Sequence, residues 1–267
     1  MATGGGRTAL PCLVAVWQAC RVVKTKSQGV SWTVLRDVGL IALAVVVALG
    51  CVYVVRDQGS SGSGTLSSNT YEPPPVRMYV LGDSIAGGSA MGGNGLRGWP
   101  NLVSVQLGIY HALDGEGGSG YTQKGLAGDS KAYPDRVMAV IAYKPDIVIV
   151  EGSRNDRSTN PKIKGAVEAT LQRLKDGLPN TKFLVIGQIW SSATHLPPQP
   201  CDEAIRAEAK KLGMTFVSPV EQGWFTGPQH SLIGSDGIHP TDEGHIYLTN
   251  LIAPYVKAML PSSYRRV

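Results

Sequence analysis

A chain of 267 residues has room for one or two domains, yet about the first quarter passes before any globular pattern begins. The formal net charge of +5 also belongs to that quarter: six of the 25 basic residues precede position 57, but only one of the 20 acidic residues, Asp37, does. The remaining 19 of each cancel, so the charge carries no indication of nucleic-acid binding and no nucleic-acid partner is expected.

Residues 1–37 read as a cytoplasmic tail, in which Ala9–Val23 is apolar enough to lie along a membrane surface but too interrupted to span one. The run Val38–Val55 carries no charge and no polar face, and its length suits a bilayer core, so it is expected to be a transmembrane helix. Basic residues before it keep the N-terminus cytoplasmic and send the rest of the chain across. Ala48-Leu49-Gly50-Cys51 faintly resembles a lipoprotein processing site, but the leader would be very long and Val52–Val55 stays apolar. A cleaved signal peptide would have a shorter N-terminal region, and an uncleaved single-pass anchor fits better. Residues 56–75 form a linker, flexible at Gly59-Ser60-Ser61-Gly62-Ser63-Gly64 and stiffened at Pro73-Pro74-Pro75. One domain is expected over 76–260, followed by a short tail, 261–267.

Strand-like and helix-like segments alternate within that domain. Strands are expected at Arg77–Leu81, Tyr110–Leu113, Asp146–Val150, Phe183–Ile186 and Thr215–Val217. Asp146–Val150, apolar on both faces, reads as a buried parallel strand. Helices are expected at Trp99–Leu107, Tyr133–Tyr143, Lys162–Leu178 (with Ala166, Leu171, Leu174 and Leu178 inward), Asp202–Leu212 and Asp242–Met259, the last containing Pro254. The alternation implies an α/β fold, a five-stranded parallel sheet between two helical layers. Ligands of such sheets collect at the carboxyl ends of the strands.

Four stretches meet that condition. They are Gly82-Asp83-Ser84, Gly115-Glu116-Gly117-Gly118-Ser119-Gly120, Gly152-Ser153-Arg154-Asn155-Asp156 and Asp236-Gly237-Ile238-His239-Pro240. Taken singly, the first reads as a turn, the second as a flexible turn, the third as a loop cap and the fourth as a helix-capping turn before Thr241. Together they suggest chemistry. A serine hydroxyl becomes nucleophilic when a base takes its proton, and a histidine titrates in the right range. A carboxylate three residues before His239 can reach one imidazole nitrogen while the other faces Ser84.

In order, spacing and strand context these four blocks resemble the SGNH/GDSL hydrolases, across most of residues 77–260. The resemblance implies a flavodoxin-like three-layer fold, with Ser84 as nucleophile and Asp236 and His239 as its partners. It also implies an oxyanion hole from Ser84, Gly118 and Asn155. Two departures stand out. Ser153 occupies the place of a glycine, and the second block lacks its usual asparagine, so Gly118 and Gly120 compete for one role. The activity implied is an extracytoplasmic serine ester hydrolase working through an acyl-enzyme on a lipid, glycan or small-molecule acyl ester. Acyl transfer or O-deacetylation on envelope glycan or lipid, and a non-catalytic binding module, are the alternatives.

No cofactor and no metal are expected, since His111, His195 and His230 have no ligand spacing. His245 lies near His239 and is a candidate neighbour of the site. Cys201 is the one cysteine beyond the apolar run, which excludes a disulfide within the domain and suggests a semi-buried apolar role. Trp99-Pro100 reads as packing over the sheet rim and Trp190 with the Ser191–Gln199 loop as a wall of the pocket, with core or lid packing the favoured role for each.

Overall fold

The computed structural model describes residues 75–264, apart from residues 158, 159, 195 and 198. The expected tail, span and nearly all of the linker, with His195, lie outside the described residues. Among the described residues no helix is long and apolar enough to cross a membrane.

In chain order the elements are β1 (Arg77–Gly82), α1 (Ser84–Gly87), α2 (Trp99–Leu107), β2 (Tyr110–Gly115), α3 (Tyr133–Tyr143), β3 (Ile147–Glu151) and α4 (Ile163–Gly177). There follow β4 (Lys182–Ile186), β5 (Ser191–Ser192), α5 (Pro200–Lys211), β6 (Thr215–Val217), β7 (Phe225–Thr226) and α6 (Asp242–Met259). Five strands pair in parallel in the order β2-β1-β3-β4-β6. The chain first steps from β1 to β2 and then crosses back to β3 on the other side of β1. Such a reversal opens a crevice at the carboxyl ends of the two central strands. Ser84, directly after β1, falls at that crevice.

Alternation along the strands builds the three layers. Met78, Val80, Ile147, Ile149, Leu184 and Ile186 face the side covered by α2 and α6, where they meet Val103, Leu248, Ile252 and Val256. Tyr79, Leu81, Val148, Val150, Phe183 and Val185 face the other side, against Val137, Val140, Leu171, Leu174 and Ile205 of α3, α4 and α5. Central strands sealed on both faces carry no polar alternation, which is why β3 is apolar throughout until Glu151.

The expected strands and helices are present with ends shifted by one or two residues. Pro200, fixed at a helical φ and with no N–H to lose, starts α5 two residues before Asp202. On α4 the inward stripe runs through Val167 instead of Ala166, which is only partly buried. Cys201 is fully buried, not semi-buried. The two-residue pair β5–β7 was not expected, being too short to leave a periodic pattern.

Candidate active site

The turn after β1 is tightly determined. A side chain at Gly82 would come within 2.7 Å of Ala86 Cβ and 2.8 Å of Glu151 Oε2, so only glycine lets the chain leave the strand here. Asp83 then caps α1, its Oδ1 accepting from the Ile85 N–H at 2.8 Å. From behind, the Trp99 indole N–H donates to the Ile85 carbonyl at 3.1 Å. Trp99 is thus a fully buried brace for the serine turn, deeper than the rim position its sequence suggested. His245 accepts from the Trp99 N–H at 3.3 Å, and burial lowers its pKa to about 4. A neutral, buried imidazole in that place is structural.

Residues far apart in sequence meet over this turn. Ser84 Oγ lies 2.8 Å from His239 Nε2, and His239 Nδ1 lies 2.6 Å from Asp236 Oδ2. The other Asp236 oxygen accepts from the N–H groups of Ile238 and His239, at 2.8 and 3.0 Å. Partial desolvation would raise the Asp236 pKa, but those bonds and the imidazole outweigh it and hold it at about 2. An ionised Asp236 selects the tautomer in which Nδ1 carries the hydrogen and Nε2 accepts from the serine. The His239 loop is fastened by Gly234 N–H to the His239 carbonyl at 2.8 Å. Thr241, not Asp236, caps α6, so the capping alternative for Asp236 does not apply.

Beneath the serine lies a polar floor that the motifs alone did not reveal. Asp83 Oδ2 accepts from Ser153 Oγ at 2.8 Å and from Asn155 Nδ2 at 3.2 Å. Asn155 Nδ2 also donates to the Ser119 carbonyl at 2.8 Å, which Ser153 Oγ approaches at 2.7 Å. Ser153, in the glycine's place, therefore adds a donor between Asp83 and the second block. Glu151, wholly buried beside Asp83, is driven well above the usual carboxylate range by desolvation and by the Asp83 charge. Burial raises the Asp83 carboxyl as well, but the Ile85 N–H and the Ser153 hydroxyl oppose that shift, so of the pair Asp83 is the better placed to carry the negative charge and Glu151 to hold a proton. Arg136 on α3, also buried, ties this floor to the strand ends through Asp114, the Gly82 carbonyl and Ser119 Oγ. The sequence signals were an acid closing the most apolar strand and an arginine on a helix's buried face.

The glycine block separates its candidates. The Gly120 N–H donates to the Gln123 carbonyl at 2.9 Å, and the space beside its Cα is filled by the Asp156 carboxylate. That carboxylate accepts from the Tyr121 and Thr122 N–H groups and the Thr122 hydroxyl, so it cannot withdraw. Among the described residues the Gly117 and Gly118 N–H groups have no acceptor, and a side chain added at Gly117 would come within 4.0 Å of Ser84 Cβ.

Elsewhere, Trp190 stacks under the Arg154 guanidinium, 4.5 Å from Cζ to ring centroid, and beside it Ser191 Oγ donates to the Gly237 carbonyl at 3.2 Å. His111 sits on β2 and His230 is exposed, and among the described residues neither side chain bonds to this cluster. Among the described residues no group of three or more His, Cys, Asp or Glu side chains is arranged to hold a metal ion.

Residues 80–246 match the model of the GDSL-like lipase/acylhydrolase family. The chain is 31% identical over 232 residues to a GDSL lipase of Mycobacterium tuberculosis, covering 83% of this chain and 96% of that one. Its fold is similar to that of a carbohydrate esterase family 2 enzyme from Corynascus thermopiles (Myceliophthora fergusii), with TM-score 0.55 and 18% identity over 71% of this chain and 68% of that one. It is similar also to a carbohydrate acetylesterase from Sinorhizobium meliloti, with TM-score 0.50 and 17% identity over 69% and 100% of the two chains. A match across most of the domain, containing all four polar loops, places this chain in the GDSL-like lipase/acylhydrolase family and with it among the carboxylic ester hydrolases.

Proposed function

We propose that this protein is a serine ester hydrolase in which Ser84, His239 and Asp236 act as a triad through an acyl-enzyme. The observation that carries the reading is the unbroken relay of 2.8 Å from Ser84 to His239 and 2.6 Å from His239 to Asp236. In the first half-reaction His239 Nε2 takes the Ser84 proton as Oγ attacks the ester carbonyl, and Asp236 stabilises the resulting imidazolium. The proton then passes to the departing alcohol. In the second half-reaction His239 takes a proton from the water that attacks the acyl-enzyme and returns it to Ser84 Oγ as the bond between that oxygen and the acyl carbon breaks and the acid departs.

The oxyanion formed in each step is received by the N–H groups of Ser84 and Gly118 and by the Asn155 carboxamide. Gly117, with an equally free N–H, stands next to them. Such donors act strongly because they are oriented before charge develops. A binding module would have no use for an imidazole held between a serine and a carboxylate, and this argues against the non-catalytic alternative. Water as acceptor gives hydrolysis; a hydroxyl acceptor in the same place would give transfer.

The uncharged run Val38–Val55 supports single-pass anchoring, with the hydrolase domain on the extracytoplasmic side. Protease added to intact cells should then remove the domain but leave the N-terminal tail. For the chemistry, the purified protein should turn over p-nitrophenyl butyrate and label with a fluorophosphonate probe, and Ser84→Ala should abolish both. Unchanged turnover in that variant rejects the assignment.

A further inference from the structure

Four of the seven described arginines have a carboxylate within 4.0 Å, and two that do not, Arg157 and Arg173, are exposed. Arg97 reaches Asp242 at 2.7 Å, Arg136 reaches Asp114 at 2.6 Å, and Arg206 pairs with Glu221. Arg154 does not follow them. It is half-buried, yet no carboxylate among the described residues lies within 4.0 Å of it, and its Nη1 is enclosed without an acceptor among those residues. A cation withdrawn from water and left unpaired is costly, so its place needs a reason.

Its position supplies one. Arg154 directly precedes Asn155, and the loop carrying both is held rigid. Gln188 Nε2 donates to the Ser153 and Asp156 carbonyls at 2.6 and 3.2 Å, and the Trp190 indole N–H reaches Gln188 Oε1 at 3.3 Å. Trp190 in turn places its ring under the guanidinium, with Arg154 Cζ 4.5 Å from the ring centroid. The next residue, Ser191, is bonded to the loop that carries Asp236 and His239. The guanidinium is thus fixed between the oxyanion loop and the histidine loop. Stacking one face on an indole leaves the in-plane N–H edge of an arginine as its recognition surface, and that edge matches a carboxylate or a phosphate.

We propose that Arg154, clamped by Trp190, forms a subsite for an anionic group on the substrate, so that the preferred esters carry a carboxylate or phosphate near the scissile bond. The proposal rests on the ester-hydrolase reading and narrows its substrate class. Burial lowers the Arg154 pKa while the Asp83 and Asp236 charges oppose that shift, so the group keeps its positive charge with no direct partner. A neutral ester leaves the guanidinium unpaired, whereas an anionic one completes it.

Two substrate pairs place the anion on either side of the ester. In the acyl arm, mono-p-nitrophenyl succinate is compared with p-nitrophenyl butyrate. In the alcohol arm, 4-acetoxybenzoate is compared with 4-acetoxybenzamide. The readout is the ratio of kcat/KM for the anionic over the neutral ester, each corrected for its uncatalysed rate. Arg154→Gln should lower that ratio at least tenfold in one arm, and Arg154→Lys should lower it less. Free succinate should inhibit butyrate-ester turnover by the unaltered protein more strongly than free butyrate does, a comparison that needs no variant to fold.

A ratio within twofold of the unaltered protein in both arms overturns the subsite. An equal loss for both members of each pair also overturns it, since Arg154 would then serve the oxyanion or the Asp83 charge. Equal inhibition by the two free acids counts against it in the same way. In all these cases turnover of the neutral ester and its dependence on Ser84 still stand, so the hydrolase reading survives. A protein that cleaves none of the four esters loses both.

Discussion

The Asn155 carboxamide is the donor whose role can be tested most sharply. It has two N–H groups, and both are engaged, one with the Ser119 carbonyl at 2.8 Å and the longer one with Asp83 Oδ2 at 3.2 Å. To receive an oxyanion it must release one, and the 3.2 Å contact is the weaker. Ser153 Oγ stands 2.8 Å from the same Asp83 oxygen and 2.7 Å from the same Ser119 carbonyl, with one proton to give to either. The serine hydroxyl can therefore keep Asp83 satisfied while Asn155 turns to the substrate.

If Asn155 receives the oxyanion as proposed, Asn155→Ala should cost about 3–4 kcal/mol, or roughly 10²–10³-fold in kcat, with little change in KM. Ser153→Ala leaves the donor but removes the reserve for Asp83. Its expected cost is one hydrogen bond to a charged group, about 1.5 kcal/mol or roughly tenfold in kcat. Because the serine acts through the asparagine, Ser153→Ala should add almost nothing to kcat when Asn155 is already alanine. Steady-state kinetics on p-nitrophenyl butyrate for the two single variants and the double variant give the whole cycle. Additive losses, or an Asn155→Ala enzyme within about threefold of the unaltered protein, would refute the reasoning.

Other residues give separate tests. Asp236→Asn cannot hold the imidazole tautomer by accepting from Nδ1 in the same way, and kcat should fall by about 10³-fold or more with folding intact by circular dichroism. Desolvation raises the Asp202 pKa to about 6, although Gln188 N–H and the Ser218 hydroxyl both favour its charged form. The unfolded chain therefore gives up this proton first, near pH 3.8, and the group's contribution to stability falls as pH rises from there to about 6, by about 3 kcal/mol. Urea titrations across that window should show the stability of Asp202→Asn relative to the unaltered protein rising with pH, and a flat difference refutes the assignment. Burial pushes the Cys201 thiol far up, so a disulfide-exchange reagent should leave it unmodified until the protein unfolds.

The parts of this fold that were legible in the sequence are those where one periodicity dominates. The β3 segment stays apolar because both faces are covered, and the α2, α3 and α6 bounds match the periodic pattern of the sequence. That Ser84, Asn155, Asp236 and His239 come together could be foreseen because parallel topology sends every strand's following loop to the same edge. The polar floor could not. Nothing local marks Glu151 as protonated, since its state depends on Asp83, 68 residues away. The choice between Gly118 and Gly120 depended on a hydrogen bond to Gln123 and on a carboxylate from another loop, neither of which spacing encodes. Trp190 was expected near the pocket wall, but nothing in the sequence tied it to Arg154; only their stacking gives them a common meaning.

The floor and the rim of the site are built differently, and this bears on what each can decide. Asp83, Glu151, Ser153 and Arg136 are buried and bonded to one another or to backbone groups of the serine turn, the glycine block and the strand ends, so the serine turn has little freedom. His239 and Asp236 sit on a surface loop, with side chains 21% and 34% exposed. Rigid donors below suit a charge that develops in one place whatever ester is bound, and they cannot tell substrates apart. Discrimination has to come from groups that meet the rest of the molecule, and at this rim the half-buried cation beside Asn155 lacks a partner of its own. If the ester's remote group supplies that partner, binding energy gained there is available to hold the carbonyl against Ser84.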